Sequence, residues 1–92
     1  MTSKEDRKMT TIELTRHAQA GFTNLSNLPV NAVIGLAKRE DVWVVSLEAV
    51  ERKAIPDSMD VLGVYEIRMD SKGILLGFER MKLRKRGETK EE

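Results

Sequence analysis

The spacing of apolar and polar residues changes once along this chain, from a helical period to an alternating one. The first part carries apolar residues every three or four positions, which predicts an amphipathic helix with one narrow stripe: Leu14, Ala18, Phe22 and Leu25. Thr10–Glu13 fits a capping box, so the helix is predicted to begin near Thr10 and to end before Pro29. From Ala32 onward the period is two, which is typical of β-strands.

The alternating part divides into four predicted strands, at residues 32–38, 42–52, 60–69 and 74–84. Lys38–Asp41 connects the first two strands. Ile55–Asp57 forms the corner after the second strand, because Pro56 cannot donate to a strand ladder. Asp70–Gly73 is predicted to be a type I turn closed by a glycine in the left-handed region. The predicted fold is α+β, with the N-terminal helix packed on one face of a four-stranded antiparallel β-meander.

Strand alternation assigns the side chains to two faces of the predicted sheet. The first face is the more apolar and is predicted to receive the helix, with Trp43 as its anchor; its members are Trp43, Val45, Leu47, Ala49, Val61, Tyr65, Ile67, Met69, Leu75, Met81 and Leu83. One short helix cannot cover both faces, so the second face is either open to water or a docking surface. The residues predicted for a partner surface on this second face are Val44, Glu48, Leu62, Val64, Glu66, Arg68, Leu76, Phe78 and Arg80.

The composition fits one small domain. The chain has 92 residues, no cysteine and a single histidine, His17, which excludes disulfides, thiolate metal sites and histidine clusters. The predicted organisation is a disordered arm over residues 1–8, one α+β domain over residues 9–86 and a charged flexible tail over residues 87–92. The start is charged and leads into no apolar segment, and no apolar run approaches the ~20 residues that span a bilayer. We expect a cytoplasmic protein without membrane association.

Patterns for catalysis and ligand binding are missing from the sequence. The glycines are scattered, with no phosphate-binding loop, and no spacing supplies a nucleophile with its base. Five carboxylates close in sequence are candidates for a metal or general-base cluster: Glu48, Glu51, Asp57, Asp60 and Glu66. Strand glutamates more often face water or pair with cross-strand arginines, and corner aspartates such as Asp57 and Asp60 commonly cap backbone N–H groups. We expect no enzyme activity, metal, cofactor or small-molecule ligand.

The net charge of +1 hides an uneven distribution of charge. Residues 1–39 carry +3, residues 40–79 carry −5 and residues 80–92 carry +3. Residues 80–86 include five basic residues, which leaves open a nucleic-acid-binding or regulatory domain that uses this last strand. The same charges would protect an edge strand against aggregation, and the four aromatic residues are too scattered to stack bases. A protein partner is therefore favoured over nucleic acid.

An ordered set of residues from Trp43 onward resembles the gas vesicle protein O family. The shared features are a tryptophan that opens a strand ending in glutamates, a proline–aspartate corner, an aspartate and a leucine before a tyrosine, an aspartate–glycine turn, and a last strand with an aromatic residue and spaced arginines. They are met here by Trp43, Glu48, Glu51, Ile55, Pro56, Asp57, Asp60, Leu62, Tyr65, Asp70, Gly73, Gly77, Phe78, Arg80 and Arg86. Ala54 stands where the family pattern has an arginine, and Arg84 where it has an aromatic residue.

The resemblance implies a non-enzymatic accessory protein for the assembly of gas vesicles, the hollow gas-filled shells that give prokaryotic cells buoyancy. It implies a small protein–protein interaction module that acts in the cytoplasm in association with the vesicle. The expected partners are other gas vesicle accessory proteins, with the vesicle ATPase as one candidate. The residues expected to hold the fold are Trp43, Pro56, Asp57, Asp60, Tyr65, Asp70 and Gly73.

Overall fold

The fold begins with a helix that is capped as the sequence predicts. A computed structural model describes residues 9–87, and helix α1 spans Thr11–Ser26. The Thr10 hydroxyl accepts a hydrogen bond from the Glu13 N–H at 3.2 Å, and the Glu13 carboxylate accepts one from the Thr10 N–H at 2.9 Å. This reciprocal pair satisfies two free N–H groups and fixes where α1 begins.

The remainder of the chain forms one antiparallel sheet. Its strands are β1 (Val30–Arg39), β2 (Val42–Arg52), β3 (Val61–Met69) and β4 (Leu75–Lys85). They lie in the order β1-β2-β3-β4, and α1 packs on one face of the sheet. A 3₁₀ turn at Asp57–Met59 occupies the corner between β2 and β3. The predicted α+β fold with a β-meander is confirmed.

The ends of the predicted domain organisation lie mostly outside the described residues. The described residues do not include the predicted arm, residues 1–8, or residues 88–92 of the predicted tail. Gly87, where the tail was predicted to begin, donates its N–H to the Ser58 carbonyl at 2.8 Å. The preceding Arg86 N–H donates to the Asp60 carbonyl, also at 2.8 Å. Backbone hydrogen bonding to the corner therefore continues as far as Gly87.

Helix α1 and the sheet enclose the main core. The helix residues Leu14, Ala18 and Phe22 have no exposed surface. The centre of the Phe22 ring lies 4.7 Å from that of Tyr65 and 5.2 Å from that of Phe78, so three aromatic rings meet between the two layers. Aromatic rings at tilted and edge-to-face angles attract each other, and this attraction adds to the stabilisation that comes from burying their surface. This cluster joins the C-terminal half of α1 to β3 and β4.

Two residues predicted for the centre of this core lie at its margin. Leu25, the fourth member of the helical stripe, is 65% exposed, so the predicted stripe is wrong at that position. The chain leaves the helix at Asn27, whose φ of 63° is left-handed, and Leu28 packs against the core in place of Leu25. Trp43 lies on the helix-covered face as predicted but is only half-buried, with the Lys38 ammonium 5.6 Å from its ring centre.

The turn between β3 and β4 follows the sequence prediction closely. The Asp70 carboxylate accepts hydrogen bonds from the N–H groups of Lys72 and Ile74, at 2.9 and 3.0 Å. Gly73 has a φ of 88°, a conformation that strains residues with a Cβ atom. Asp70 N–H also donates to the Ile74 carbonyl at 3.0 Å. These contacts hold the turn between β3 and β4, with Gly73 in the left-handed region.

The register of β4 changes immediately after this turn, and the predicted faces change with it. Met69 lies opposite Leu75 but Arg68 lies opposite Gly77, so Leu76 is an extra residue in a β-bulge. The bulge moves the following side chains to the other face. Phe78 therefore lies opposite Ile67, on the helix-covered face.

Arg80 moves in the same way, since it lies opposite Tyr65. The predicted positions of Phe78 and Arg80 on the second face are therefore wrong. Met81 is the extra residue of a further bulge and is 50% exposed, so it does not join the helix-facing core as predicted. This further bulge restores the predicted phase, and Lys82 then lies opposite Val64 on the second face.

Candidate functional site

The second face of the sheet is defined by the side chains that point away from α1. Cross-strand pairing places Val44 opposite Arg68, Ser46 opposite Glu66, Glu48 opposite Val64 and Val50 opposite Leu62. The residues of β4 on this face are Gly77, Glu79, Lys82 and Arg84. No helix or strand of the part of the chain that the structure describes packs on it. Six of the nine predicted partner-surface residues therefore share this face: Val44, Glu48, Leu62, Val64, Glu66 and Arg68.

Burial separates these residues into two groups. Val44, Glu48 and Leu62 are buried, with exposed fractions of 4%, 8% and 0%. They support the sheet and offer little surface to a partner. Val64 and Glu66 are half-buried.

The accessible residues cluster toward the β3–β4 hairpin. Arg68 is exposed, and its guanidinium covers the position that a Cβ at Gly77 would occupy, 2.8 Å from Nη2. Leu76, the extra residue of the nearby bulge, is 53% exposed. We group Leu76 with the exposed and half-buried residues of the second face into one patch of mixed polarity, which we call the accessible second face: Val64, Glu66, Arg68, Leu76, Glu79 and Lys82.

Beside this patch an ion pair crosses the sheet. Arg84 Nε donates to Glu48 Oε2 at 2.7 Å, although one strand lies between them. Asn31 Nδ2 donates to the other oxygen of the same carboxylate at 3.3 Å. The hydrogen bond from Arg84 is the main reason that the pKa of Glu48 lies below its ordinary value of 4.5, against the opposing effect of burial.

A second ion pair closes the corner between β2 and β3. The buried carboxylate of Asp60 accepts the N–H of Ala54 at 2.7 Å through Oδ1, and Arg86 donates to Oδ2 at 3.2 Å. The backbone hydrogen bond from Ala54 is the first cause that lowers the pKa of Asp60, and Arg86 adds to it. Arg86 Nη1 also donates to Asn31 Oδ1 at 3.0 Å. Asn31 thereby links the two ion pairs.

Of the two corner aspartates considered as caps, Asp60 accepts a backbone N–H through its side chain, that of Ala54. Asp57 is exposed and contributes through its backbone, since its carbonyl accepts the Asp60 N–H at 2.9 Å. Pro56 contributes in the same way, because its carbonyl accepts the Met59 N–H at 3.0 Å. Both residues therefore shape the corner through their backbone carbonyls.

A third acid–base group lies on the helix-covered face. The Tyr65 hydroxyl donates to Glu51 Oε2, and Arg80 Nη1 lies 3.7 Å from the same oxygen. Burial, followed by the neighbouring Glu51 carboxylate, raises the pKa of Tyr65 to about 12, so the phenol remains a donor at neutral pH. Gly63 makes this contact possible, because a Cβ there would overlap Glu51 Oε2 and lie 2.9 Å from Tyr65 Cε1. Sequence patterns gave no signal for Gly63.

These pairs use much of the basic charge of residues 80–86 within the fold. Arg80, Arg84 and Arg86 each pair with a carboxylate from β2 or the corner. The charge alternation that suggested nucleic-acid binding is thus explained in large part by cross-strand ion pairs. The open alternative of a nucleic-acid-binding last strand gains no support from this arrangement.

The carboxylates considered for a metal cluster are not gathered at one point. Glu48 and Asp60 are joined through Asn31 and Arg86, while Glu51 lies on the opposite face of the sheet. Within residues 9–87 no group of three histidine, aspartate or glutamate side chains has the geometry to hold a metal ion. None of the helices in the described range is long and apolar enough to span a membrane.

Comparison with known proteins identifies relatives for this chain. It is 43% identical over 56 residues to gas vesicle protein O of Haloferax mediterranei, covering 61% of this chain and 40% of the relative. It is 38% identical over 60 residues to gas vesicle protein O1 of Halobacterium salinarum, covering 65% and 50%. It is 31% identical over 74 residues to gas vesicle protein O of a Streptomyces species, covering 80% and 58%. The chain thus spans about half the length of these relatives.

The match to a protein family extends further along the chain than these pairwise matches. No solved structure matches with significance. The family model described as "Gas vesicle synthesis protein GvpO" matches residues 1–90, which includes the helical first third. The chain therefore belongs to the gas vesicle synthesis protein GvpO family, as its resemblance predicted.

Proposed function

We propose that this protein takes part in gas vesicle formation as a non-enzymatic accessory protein that acts through contacts with other proteins. The observation that carries the proposal is the family match over residues 1–90. The protein works in the cytoplasm in association with the vesicle, and its partners are other gas vesicle accessory proteins, with the vesicle ATPase as one candidate.

We infer that the accessible second face is the contact surface. Apolar anchors supply much of the affinity of an interface, while charges set specificity and association rate. The patch has both: Leu76 and Val64 offer apolar area, and Arg68, Glu66 and Lys82 offer charges of both signs. Val44, Glu48 and Leu62 are buried beside it on the same face of the sheet. Phe78 and Arg80 do not belong to it.

Complementation provides the functional test. A gas-vesicle-forming prokaryote that lacks its own copy of this gene is supplied with wild type or with the double variant Arg68→Glu/Leu76→Ser. Vesicles are counted by electron microscopy, and the purified accessory proteins, including the ATPase, are tested one by one for binding. We expect the double variant to reduce vesicle number and the binding of at least one accessory protein.

A matched control comes from the same hairpin. Lys72→Glu/Ile74→Ser makes the same type of change at exposed positions outside the accessible second face, since Ile74 is 58% exposed. We expect it to behave like wild type. Equal binding and equal vesicle number for both double variants would show that the accessible second face is not the contact surface. Normal vesicle formation without any copy of the gene would contradict the proposed function itself.

A further inference from the structure

A shallow groove runs between α1 and the edge strand β1. Its two halves have volumes of about 410 and 340 Å³ and share Arg16 and Gln19 in their lining. Val30 lines one half and Leu36 the other, so the groove follows β1 along the length of the helix. Ile12, which is 63% exposed, forms its wall at the Leu36 end. The groove is therefore extended along β1 and partly apolar.

The free edge of β1 borders this groove. Within residues 9–87, β1 pairs only with β2, so its outer backbone groups have no strand partner in the described fold. Of the ten residues of β1 only the last two, Lys38 and Arg39, are charged, whereas charges along an edge strand normally prevent pairing with another chain. The opposite edge, β4, is protected by basic residues and two bulges. The two edges of this sheet thus differ in their capacity to accept a further strand.

The register of β1 limits where such a strand would fit. Extra residues at Asn31 and Ile34 interrupt the pairing of β1 with β2. From Gly35 to Arg39 the pairing is regular, and this stretch runs beside the Leu36 half of the groove. A strand needs regular backbone spacing for continuous pairing, so about five residues of β1 are available.

The charged residues that line the groove or lie on this stretch of β1 are all basic. Arg16 is the sole charged residue among those that line the two halves of the groove in the described structure. Lys38 and Arg39 end the regular part of β1. The neighbouring carboxylates are Glu13 on α1, which accepts the Thr10 N–H, and Glu40 and Asp41, which lie beyond this stretch toward β2. A segment with a carboxylate among apolar side chains therefore complements this site.

We propose that the edge of β1 accepts an extended, acidic segment of another protein as a fifth strand. The added strand pairs with residues 35–39 through its backbone. Because alternate side chains of a strand share one face, two apolar residues flanking one acidic residue at alternate positions enter the groove. The acidic side chain meets Arg16, and the apolar ones contact Leu36 and Ile12. This surface is separate from the accessible second face, and the inference does not rest on the proposed function.

A blocked synthetic peptide tests the site directly. The probe is acetyl-Ser-Val-Thr-Glu-Thr-Val-Ser-amide, in which valine, glutamate and valine share one face. It is titrated to millimolar concentration into the isotope-labelled full chain, and amide chemical shifts are followed by NMR. We expect saturable shifts confined to residues 11–24 and 30–39, with slower hydrogen exchange at the outer edge of β1. A peptide with lysine in place of glutamate should bind about two- to fivefold more weakly.

Variants separate the charge contact from the strand pairing. Arg16→Glu should reverse the preference between the glutamate and lysine peptides, and Ile34→Lys should weaken both by placing a charge on the edge. Lys72→Glu makes the same charge change outside the groove and should bind as wild type does. Arg68→Glu/Leu76→Ser should also retain peptide binding, because it alters the other surface only.

Several outcomes would overturn the inference. They are the absence of saturable shifts for wild type, shifts centred on β4 or the second face, and equal binding of the two peptides. Shifts at β1 that depend on protein concentration without peptide would show that the edge pairs with a second copy of this chain. In that case the strand added to β1 would come from a second copy of this chain and not from an acidic segment of another protein.

Discussion

Arg84 on β4 bonds to Glu48 on β2 across the strand that separates them. The Nε–Oε2 distance is 2.7 Å; Arg84 lies opposite Leu62 and Glu48 opposite Val64, which are neighbours on the second face of β3. The pair therefore passes over β3 on the second face. Leu62 has no exposed surface although no described helix or strand packs on this face, and we infer that the ion pair supplies part of its cover.

The first prediction concerns the loss of this pair. Arg84→Met keeps much of the aliphatic stem but leaves Glu48, which is 8% exposed, without its guanidinium partner. A nearly buried carboxylate that loses a charged hydrogen bond retains its desolvation cost, so the free energy of unfolding should fall by about 1–3 kcal/mol. Urea denaturation of wild type and variant measures the difference.

The control for this change is Arg68→Met, which removes an exposed arginine from the same face. It should alter the free energy of unfolding by less than about 0.5 kcal/mol. The double variant Glu48→Gln/Arg84→Met should lose less than the sum of the single changes, because the two residues interact directly. Equal losses for Arg84→Met and Arg68→Met would show that the cross-strand pair does not stabilise the fold.

The second prediction is that acid weakens the fold through Glu48 and Asp60. The pKa of each lies below its ordinary value, 4.5 for Glu48 and 3.8 for Asp60, because hydrogen bonds favour the ionised form in the folded state. The unfolded chain then binds protons more readily than the folded chain. The contribution of these two carboxylates to stability is complete at pH values above their ordinary pKa values. It is lost as the pH falls through those values toward the lower pKa values of the folded state.

Denaturation at a series of pH values checks this effect. In Glu48→Gln and Asp60→Asn the corresponding part of the acid dependence should disappear, so that each variant has a flatter profile than wild type below pH 4.5. Asp57→Asn is the matched control, since Asp57 is exposed at the same corner. A profile as steep in Glu48→Gln and Asp60→Asn as in wild type would contradict the assigned ion pairs.

Local sequence signals predicted the parts of the fold that depend on neighbouring residues. The capping box of Thr10 and Glu13 and the turn at Asp70–Gly73 each require only a few adjacent residues with defined chemistry. Neither depends on the register of the sheet. For the same reason the predicted strand order of a meander is confirmed, because short connections leave few alternatives.

The faces of β4 could not be predicted in this way. A bulge adds one residue, and nothing in the alternation marks Leu76 as that residue. The single shift carries Phe78 and Arg80 to the helix-covered face, so the residues of the second face were predicted correctly on β2 and β3 but only partly on β4. The ion pairs between β2 and β4 depend on the same register. The sequence therefore indicated the alternation of charges on β4 but not which carboxylates pair with them.

The third prediction concerns Gly63, which makes room for the contact between Glu51 and Tyr65. A Cβ at this position would lie 2.9 Å from Tyr65 Cε1 and overlap the Glu51 carboxylate. Gly63→Ala should therefore lower the free energy of unfolding by about 1–3 kcal/mol, the usual cost of overpacking. Thermal and urea denaturation both report this loss.

Gly35→Ala is the matched control, because a Cβ at Gly35 meets nothing within 4 Å. A strand residue generally gains from replacing glycine by alanine, so this change should be neutral or stabilising by up to about 1 kcal/mol. Combining Gly63→Ala with Glu51→Ala should recover part of the loss, since the overlapping carboxylate is gone. Indistinguishable stability of Gly63→Ala and Gly35→Ala would refute the proposed crowding.

The last prediction distinguishes the bulged register of β4 from simple alternation. Without a bulge, Leu76 and Phe78 would share the uncovered face and both could be made polar at small cost. In the structure Phe78 contacts the Phe22 ring, with 5.2 Å between ring centres, while Leu76 is 53% exposed. Phe78→Ser should lower the free energy of unfolding by about 2–4 kcal/mol, and Leu76→Ser by less than about 1 kcal/mol. Urea denaturation measures both losses. Similar small decreases in the free energy of unfolding for the two variants would show that β4 alternates without a bulge and that Phe78 lies on the second face.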